Sequence, residues 1–260
     1  MLSYQHIYHA GCPADVHKHM ALSIILSMSV DQYDLITYID THSGRGRYNI
    51  ASAAALKTGE ASFGVLRIMD CLNDFPVVSY AKILLDSKKK FGINYYPGSP
   101  MIARFLLRKM DVLHCIEAHP REYISLEKFA RKHNIFTHYA DSYSLAPEII
   151  SKAKGLSIVL IDPSYEVKIE YKACSNFIKS LSNKYKNTII LCWVPILSSA
   201  MHKVFLYDLS DTDGLWKQEV LFNIPYKMLG SMLLCLNAPT FITDNLNDLQ
   251  EVMQKNVLGV

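Results

Sequence analysis

Apolar runs and helix-spaced stripes alternate along most of this chain. Runs rich in aliphatic and β-branched residues at 36–40, 112–117, 135–141, 157–162, 188–194, 216–222 and 231–236 predict seven strands. Most gaps between them carry helical spacing: Met101, Phe105, Leu106 and Met110 behind Pro100, and Tyr123, Leu126, Phe129 and Ala130 behind Pro120. Strand–helix alternation requires right-handed crossovers, hence a mostly parallel, doubly wound α/β sheet. The last two strands are the exception. Residues 223–230 are too few for a crossover helix and include Pro225 and Gly230, so these strands are expected to pair as an antiparallel hairpin.

One gap is too long for a simple crossover. Residues 50–96 hold two further helical stretches, around 63–72 and 77–90, and read as an inserted helical subdomain that ends in Tyr95-Tyr96-Pro97-Gly98-Ser99-Pro100. With 260 residues, half of them hydrophobic, residues 1–260 form a single domain around one core. The longest apolar run, 21–30, is broken by Ser23, Ser27 and Ser29 and falls short of the roughly 20 residues that span a bilayer, so it predicts a core helix and no membrane partner. Residues 1–19 carry His6, His9, His17 and His19 in place of a basic and then apolar leader, which points to the cytoplasm. The cysteines Cys12, Cys71, Cys115, Cys174, Cys192 and Cys235 show no C-x-x-C spacing, so neither zinc nor disulfides are expected. A net charge of +3 announces no nucleic-acid partner by itself, and the clusters Arg45/Arg47, Lys88–Lys90 and Arg104/Arg108/Lys109 matter more.

The chemistry gathers at strand ends, where open α/β sheets bind ligands. Asp40, Glu117, Asp141 and Asp162 end the first four strands in order. Any one of them serves equally well as an ordinary helix cap, but the set suits an adenosine-containing cofactor: Glu117 to grip two ribose hydroxyls and Asp141 to accept from an adenine amine. The loop Asp40-Thr41-His42-Ser43-Gly44-Arg45-Gly46-Arg47 has two glycines, but Asn49 stands where a dinucleotide fingerprint needs a third, which argues against NAD. Seven strands closed by a hairpin fit the Rossmann-like fold of S-adenosylmethionine-dependent methyltransferases better. Strand 157–162 runs into Asp162-Pro163-Ser164-Tyr165, a seat for a planar amine-bearing base: Asp162 and the Pro163 carbonyl accept from the amine, and the Tyr165 ring offers a stacking face.

Several longer strings carry a more specific likeness. Tyr4-Gln5-His6 within the tail that begins Met1-Leu2-Ser3, His9-Ala10-Gly11, Ala14-Asp15-Val16 and Lys18-His19 are joined by Asp40-Thr41-His42, Thr58-Gly59-Glu60, Tyr95 to Pro100, Glu117-Ala118-His119-Pro120 and Asp162-Pro163. In these strings the chain resembles the RlmJ-type 23S ribosomal RNA adenine methyltransferases over most of its length. The resemblance implies that residues 1–19 close over bound S-adenosyl-L-methionine, with contacts from His19, His42, Ser99, Glu117, Asp141 and its neighbour Ser142. It also implies Asp162 as the catalytic acid, Tyr4 near the target base, 23S ribosomal RNA as partner, no metal, and a monomer. The chain departs from the family pattern at Ser164 (D-P-P-Y in the family), at Ser142 (glycine in the family) and at Asn237-Ala238-Pro239-Thr240 (N-P-P-W in the family). Because amine methylation does not read a 2′-hydroxyl, DNA adenine is the alternative substrate; a cofactor-binding RNA module with catalysis weakened by Ser164 is the alternative from another class.

Overall fold

A 3₁₀ turn at His6–Tyr8 leads into helix α1 (Pro13–Gln32), which starts where Pro13 presets φ and the Cys12 sulfur accepts from the Asp15 N–H at 3.5 Å. In this computed structural model residues 4–223 and 228–259 are described; Met1, Leu2 and Ser3 of the tail string and Pro225 of the expected turn lie outside them. Strand β1 (Ile36–Asp40) follows α1, and the chain continues into β2 (Arg47–Asn49), α2 (Ala53–Thr58), α3 (Val65–Ile68), α4 (Val78–Phe91) and β3 (Tyr95–Pro97). Alternation then sets in with α5 (Ser99–Leu106), β4 (Val112–Ile116), α6 (Pro120–Ala130), β5 (Phe136–His138), α7 (Ser142–Lys152), β6 (Leu156–Ile161) and α8 (Lys168–Lys184). It ends with β7 (Thr188–Ile196), α9 (Met201–Asp208), β8 (Trp216–Leu221), β9 (Gly230–Leu236), α10 (Thr240–Asn247) and α11 (Leu249–Val252).

Seven strands form one sheet in the order β5-β4-β1-β6-β7-β9-β8. The first five in that order run parallel, and β9 pairs antiparallel with both β7 and β8, as the hairpin pattern predicted. Every residue of β1, β6 and β7 is buried, which is why these strands read as unbroken apolar runs. Pro195 is tolerated inside β7 because β6 stops pairing at Cys192, so no neighbour on that side needs its missing N–H. The order reverses at β1: β4 and β5 lie to one side, β6 and β7 to the other. A switch point of this kind opens a crevice above the carboxyl ends of β4, β1 and β6.

The inserted segment differs from its expected form. Its second helix is α4, but the stretch around 63–72 resolves into α3 between short 3₁₀ turns at Glu60–Phe63 and Leu72–Asp74. The break falls at Gly64, where a Cβ would lie 2.2 Å from the Gly11 carbonyl oxygen; the neighbouring Val65 N–H donates to that same oxygen at 2.8 Å. The antiparallel pair β2–β3, with Tyr48 opposite Tyr96, was not anticipated. Arg104, Arg108 and Lys109 do not share one helix, because α5 ends at Leu106. Arg108 instead reaches back to the carbonyls of Val30 and Tyr33 at 2.9 and 2.8 Å and grips Asp111. Helix α1 packs against α4, α5, α10 and β9 and is buried on nearly every side, including the polar His17, Lys18 and His19.

Candidate active site

A cavity of about 500 Å³ fills the crevice at the switch point. Its floor is the loop after β1, its two ends are Glu117 after β4 and Asp162 after β6, and α1 with the segment before it forms the roof. Of the residues predicted for the site, Tyr4, His19, His42, Ser99, Glu117, Asp141, Ser142, Asp162 and Pro163 all line it.

At the β6 end, Lys18 bridges two carboxylates. Its ammonium donates to Asp162 and, at 2.9 Å, to Asp15, which also accepts from His6 at 2.8 Å and from the Gly11 N–H at 2.9 Å. Burial pushes the Asp15 carboxyl up, but His6 and Lys18 overcome that and hold it well below the usual carboxylate range. For Asp162 burial prevails, and the carboxyl stays above its ordinary value despite the pull of Lys18. Burial alone would depress the Lys18 ammonium; the two acids raise it instead, so it stays charged. The Trp193 ring lies 5.7 Å from this ammonium.

Tyr165 does not offer the expected stacking face. It is 5 % exposed, has φ +53°, and turns into the core beneath the loop, where its hydroxyl donates to the Trp193 carbonyl at 3.0 Å. The left-handed backbone at this position reverses the side that the ring would otherwise present. Ser164 lines the cavity, and its hydroxyl donates to Glu170 at 3.4 Å. An aromatic face does reach the cavity from the segment before α1: Tyr4 stacks on His9 at 5.5 Å and bonds His6 at 2.9 Å. That segment is tied to the insertion by His9–Glu60 at 2.8 Å and by a Thr58 hydroxyl bond to the Tyr8 carbonyl.

At the β4 end, Glu117 is held by two backbone donors, Gly44 N–H and His119 N–H, each at 2.7 Å. Gly44 sits at φ +57°, and a Cβ there would lie 2.1 Å from the Tyr48 hydroxyl, so only glycine brings this N–H to the carboxylate. Burial pushes the Glu117 carboxyl up to about 7, the two N–H donors notwithstanding. Arg45, from the basic pair Arg45/Arg47, is forked onto Glu122 and so is not free for RNA. Asp141 caps α7 through one oxygen, accepting from the Ser144 N–H at 2.9 Å and its hydroxyl at 2.7 Å, with Ser142 buried beside it. His42 and His19 are held neutral by burial, pushed down to about 4 and about 3; His19 bonds the Tyr96 hydroxyl at 2.7 Å and His42 the Thr41 hydroxyl at 2.8 Å. Asp40 is fully buried beneath the loop and does not line the cavity.

The model of the family described as "Ribosomal RNA large subunit methyltransferase D, RlmJ" matches residues 34–259. The chain belongs to the RlmJ family. It is 32% identical over 257 residues to ribosomal RNA large subunit methyltransferase J of Escherichia coli K12, covering 95% of this chain and 91% of that protein. To the protein of the same name from Haemophilus influenzae it is 34% identical, covering 76% and 71% of the two chains. The crystal structure of protein LPL1258 from Legionella pneumophila superposes with a TM-score of 0.86 at 26% identity, covering 96% and 95%.

For an RlmJ member, the residues fit a bound S-adenosylmethionine in one testable respect: Glu117 is a desolvated carboxylate, braced by backbone and without an ion pair among the described residues, facing a cavity of ligand size. Sequence reasoning on the motif missed the Asp15–Lys18–His6 brace behind Asp162. Its signal was an acid and a lysine three residues apart just ahead of the largely apolar stretch 20–26. Among the described residues no cluster of His, Cys, Asp or Glu could hold a metal ion, and no helix is long and apolar enough to cross a membrane.

Proposed function

We propose that this RlmJ-family enzyme transfers the methyl group of S-adenosyl-L-methionine to the exocyclic amine of an adenine in large-subunit, 23S ribosomal RNA. One observation carries the reading: a single cavity joins a backbone-braced carboxylate at the end of β4 to a lysine-braced carboxylate at the end of β6. When bound, the cofactor supplies a methyl group on a positively charged sulfur. Glu117 accepts its ribose hydroxyls, the free oxygen of Asp141 accepts the adenine amine, and neutral His19 and His42 with Ser99 and Ser142 complete the contacts. Asp15, Lys18 and Asp162 together carry one net negative charge, which matches one sulfonium and keeps the brace from repelling it.

An adenine amine is a weak nucleophile because its lone pair is delocalised into the ring. Asp162 and the Pro163 carbonyl accept its two hydrogens and hold the lone pair in line for attack, after which Asp162 takes up or relays the proton that the amine loses. Lys18 keeps Asp162 ionised for that task. The target base leaves its stack to enter, and Tyr4, in place of Tyr165, supplies the ring against it. All of these groups come from one chain, which supports action as a monomer, and a ribosomal RNA substrate supports a cytoplasmic setting. The test is mass-spectrometric mapping of methyladenosine in ribosomal RNA from cells with and without this protein, paired with transfer to matched RNA and DNA hairpins. No methyl difference in the RNA, or transfer confined to DNA, overturns the reading.

A further inference from the structure

The catalytic cavity is lined by seven carboxylates, those of Asp15, Glu60, Glu117, Glu122, Asp141, Asp162 and Glu170, against Lys18 in the lining and Arg45 behind Glu122, an excess of acids even with His9 on Glu60. Such a mouth attracts a sulfonium but repels phosphate, so a polyanion that delivers one base into it needs its grip elsewhere. A separate cavity of about 530 Å³ has the opposite character. It opens where α5 meets the C-terminal ends of α4 and α6, and Lys90, Arg104, Lys109 and Lys132 line it beside Phe91 and Phe105, with no Asp or Glu in its walls.

Among the described residues no carboxylate claims these cations, although Arg104 donates to the Leu107 carbonyl at 2.8 Å and the Lys90 ammonium lies 5.3 Å from the Phe91 ring. Four lysines elsewhere on the surface have carboxylate partners, Lys172 with Asp208, Lys179 with Asp211, Lys217 with Glu219 and Lys255 with Glu251, while others such as Lys82, Lys154 and Lys203 form no ion pair among the described residues. What sets the groove apart is that its four cations share one cavity without an acid. Among the described residues none of Lys90, Arg104, Lys109 and Lys132 forms an ion pair. The negative ends of helices favour a basic residue in each last turn, which accounts for Lys90 and Arg104. That effect does not account for Lys109, which lies beyond α5, nor for the absence of acids. One basic residue stands between the groove and the active-site loop. Arg47, three residues after the Gly44 that holds Glu117, lies with its guanidinium 4.3 Å from the Phe91 ring and likewise forms no ion pair among the described residues.

We propose that this groove holds backbone phosphates of the large-subunit RNA strand that flanks the target nucleotide, with Arg47 continuing the track to the catalytic mouth. The proposal rests on the RNA methyltransferase reading and adds where the RNA is gripped. Phosphate contacts act through counterion release, so each one adds about 0.7–0.9 to the slope of log affinity against log salt.

The experiment is filter binding of a transcribed, unmodified large-subunit rRNA fragment across a salt series, with methyl transfer measured in parallel. Lys109→Glu with Lys132→Glu is expected to weaken binding at low salt by at least about tenfold, to cut the salt slope by about 1.5 and to raise the KM for RNA, while calorimetric affinity for S-adenosylmethionine holds. Lys109→Gln with Lys132→Gln gives a smaller loss in the same direction and serves should the reversal disturb folding. The control, Lys172→Glu with Lys179→Glu on α8, makes the same change of net charge and leaves affinity and slope as they were. Unchanged RNA affinity and slope in both groove variants, beside a wild type that binds and methylates, sinks the groove alone. An equal loss in the control sinks it too, since net charge then suffices. A wild type that neither binds nor methylates the RNA overturns the function reading, and the groove with it.

Discussion

Glu117 and Asp162 stand at the ends of β4 and β6, on either side of β1 in the same sheet, yet they are made tolerable in opposite ways. Asp162 is braced by a charge: Lys18 crosses from α1 and is itself balanced by Asp15. Glu117 is braced by dipoles, two backbone N–H groups at 2.7 Å, and among the described residues it forms no ion pair. A cation lets a buried carboxylate exist as an anion before any ligand arrives, as proton chemistry at Asp162 requires. Backbone donors fix the position of Glu117 but leave its charge underpaid, so the carboxylate is ready for hydroxyl donors from a ligand. One end is preorganised for reaction and the other for capture.

Two substitutions test the reactive end, and they carry the largest expected effects. Asp162→Ala should lower methyl transfer by roughly 10²–10⁴-fold. Cofactor affinity should fall far less than turnover, because Lys18 keeps Asp15 as a partner, which leaves the brace neutral and not positive, and Glu117 is untouched; turnover near wild type would remove Asp162 from the chemistry. Lys18→Met should act first on the fold, since it leaves Asp162 without its cation and Asp15 with only His6 and the Gly11 N–H, at a cost of about 3–5 kcal/mol in denaturant unfolding. The sign with pH follows from Asp15. Its carboxyl is held below the usual range in the folded state, so the stability it contributes is present above its unfolded pKa and fades as pH falls through the folded one. The penalty of Lys18→Met should therefore be largest at neutral pH and shrink in acid; a pH-independent penalty would mean lost packing alone.

The contrast between the two ends also explains what the sequence could reveal. Glu117 and Asp162 were readable because each follows a buried parallel strand, and such strands are continuous apolar runs with abrupt polar ends. Lys18 left a local signal only through its pairing with Asp15; its bond to Asp162 spans 144 residues and leaves none. Tyr165 misled for a related reason: residue type suggests a stacking ring, but its direction depends on a φ of +53° that nothing in Asp162-Pro163-Ser164-Tyr165 announces. The seven strands and the closing hairpin followed from periodicity, whereas β2 and β3, three residues each, are too short to show a period. The break at Gly64 was hidden because it is set by contact with the chain at Gly11.

At the capture end the expected losses are smaller and lie in binding. Glu117→Gln keeps the shape but removes the charge, and should weaken S-adenosylmethionine by about 1.5–3 kcal/mol in calorimetry, with turnover recovered at saturating cofactor. The pH profile carries the same information. Burial, with Glu122 and Asp40 adding to it, raises Glu117 from 4.5 to about 7, so the folded protein binds the extra proton across that interval. Stability contributed by this group therefore falls as pH rises from 4.5 to about 7, the reverse of the Asp15 case. Hydroxyl donors from a ligand favour the ionised form, so affinity should climb with pH up to about 7 and then level, and Glu117→Gln should flatten the climb. A wild-type affinity that does not vary over this range would place the ribose elsewhere.

The smallest effect should come from Tyr165, which sits two residues beyond Pro163 yet belongs to neither end of the cavity. Its hydroxyl donates to the buried Trp193 carbonyl, so Tyr165→Phe leaves that acceptor with only the weaker Cys192 thiol at 3.5 Å and should cost about 1 kcal/mol of stability by denaturant unfolding. The ring itself keeps its contacts with Tyr171 and Phe205, and the loop that carries Asp162 keeps its support. RNA KM and turnover should therefore match wild type once folded protein is compared. A selective rise in RNA KM, with stability unchanged, would mean that the ring swings out to meet the base; the difference between a core tyrosine and a stacking one would then be a difference between two states of the same loop.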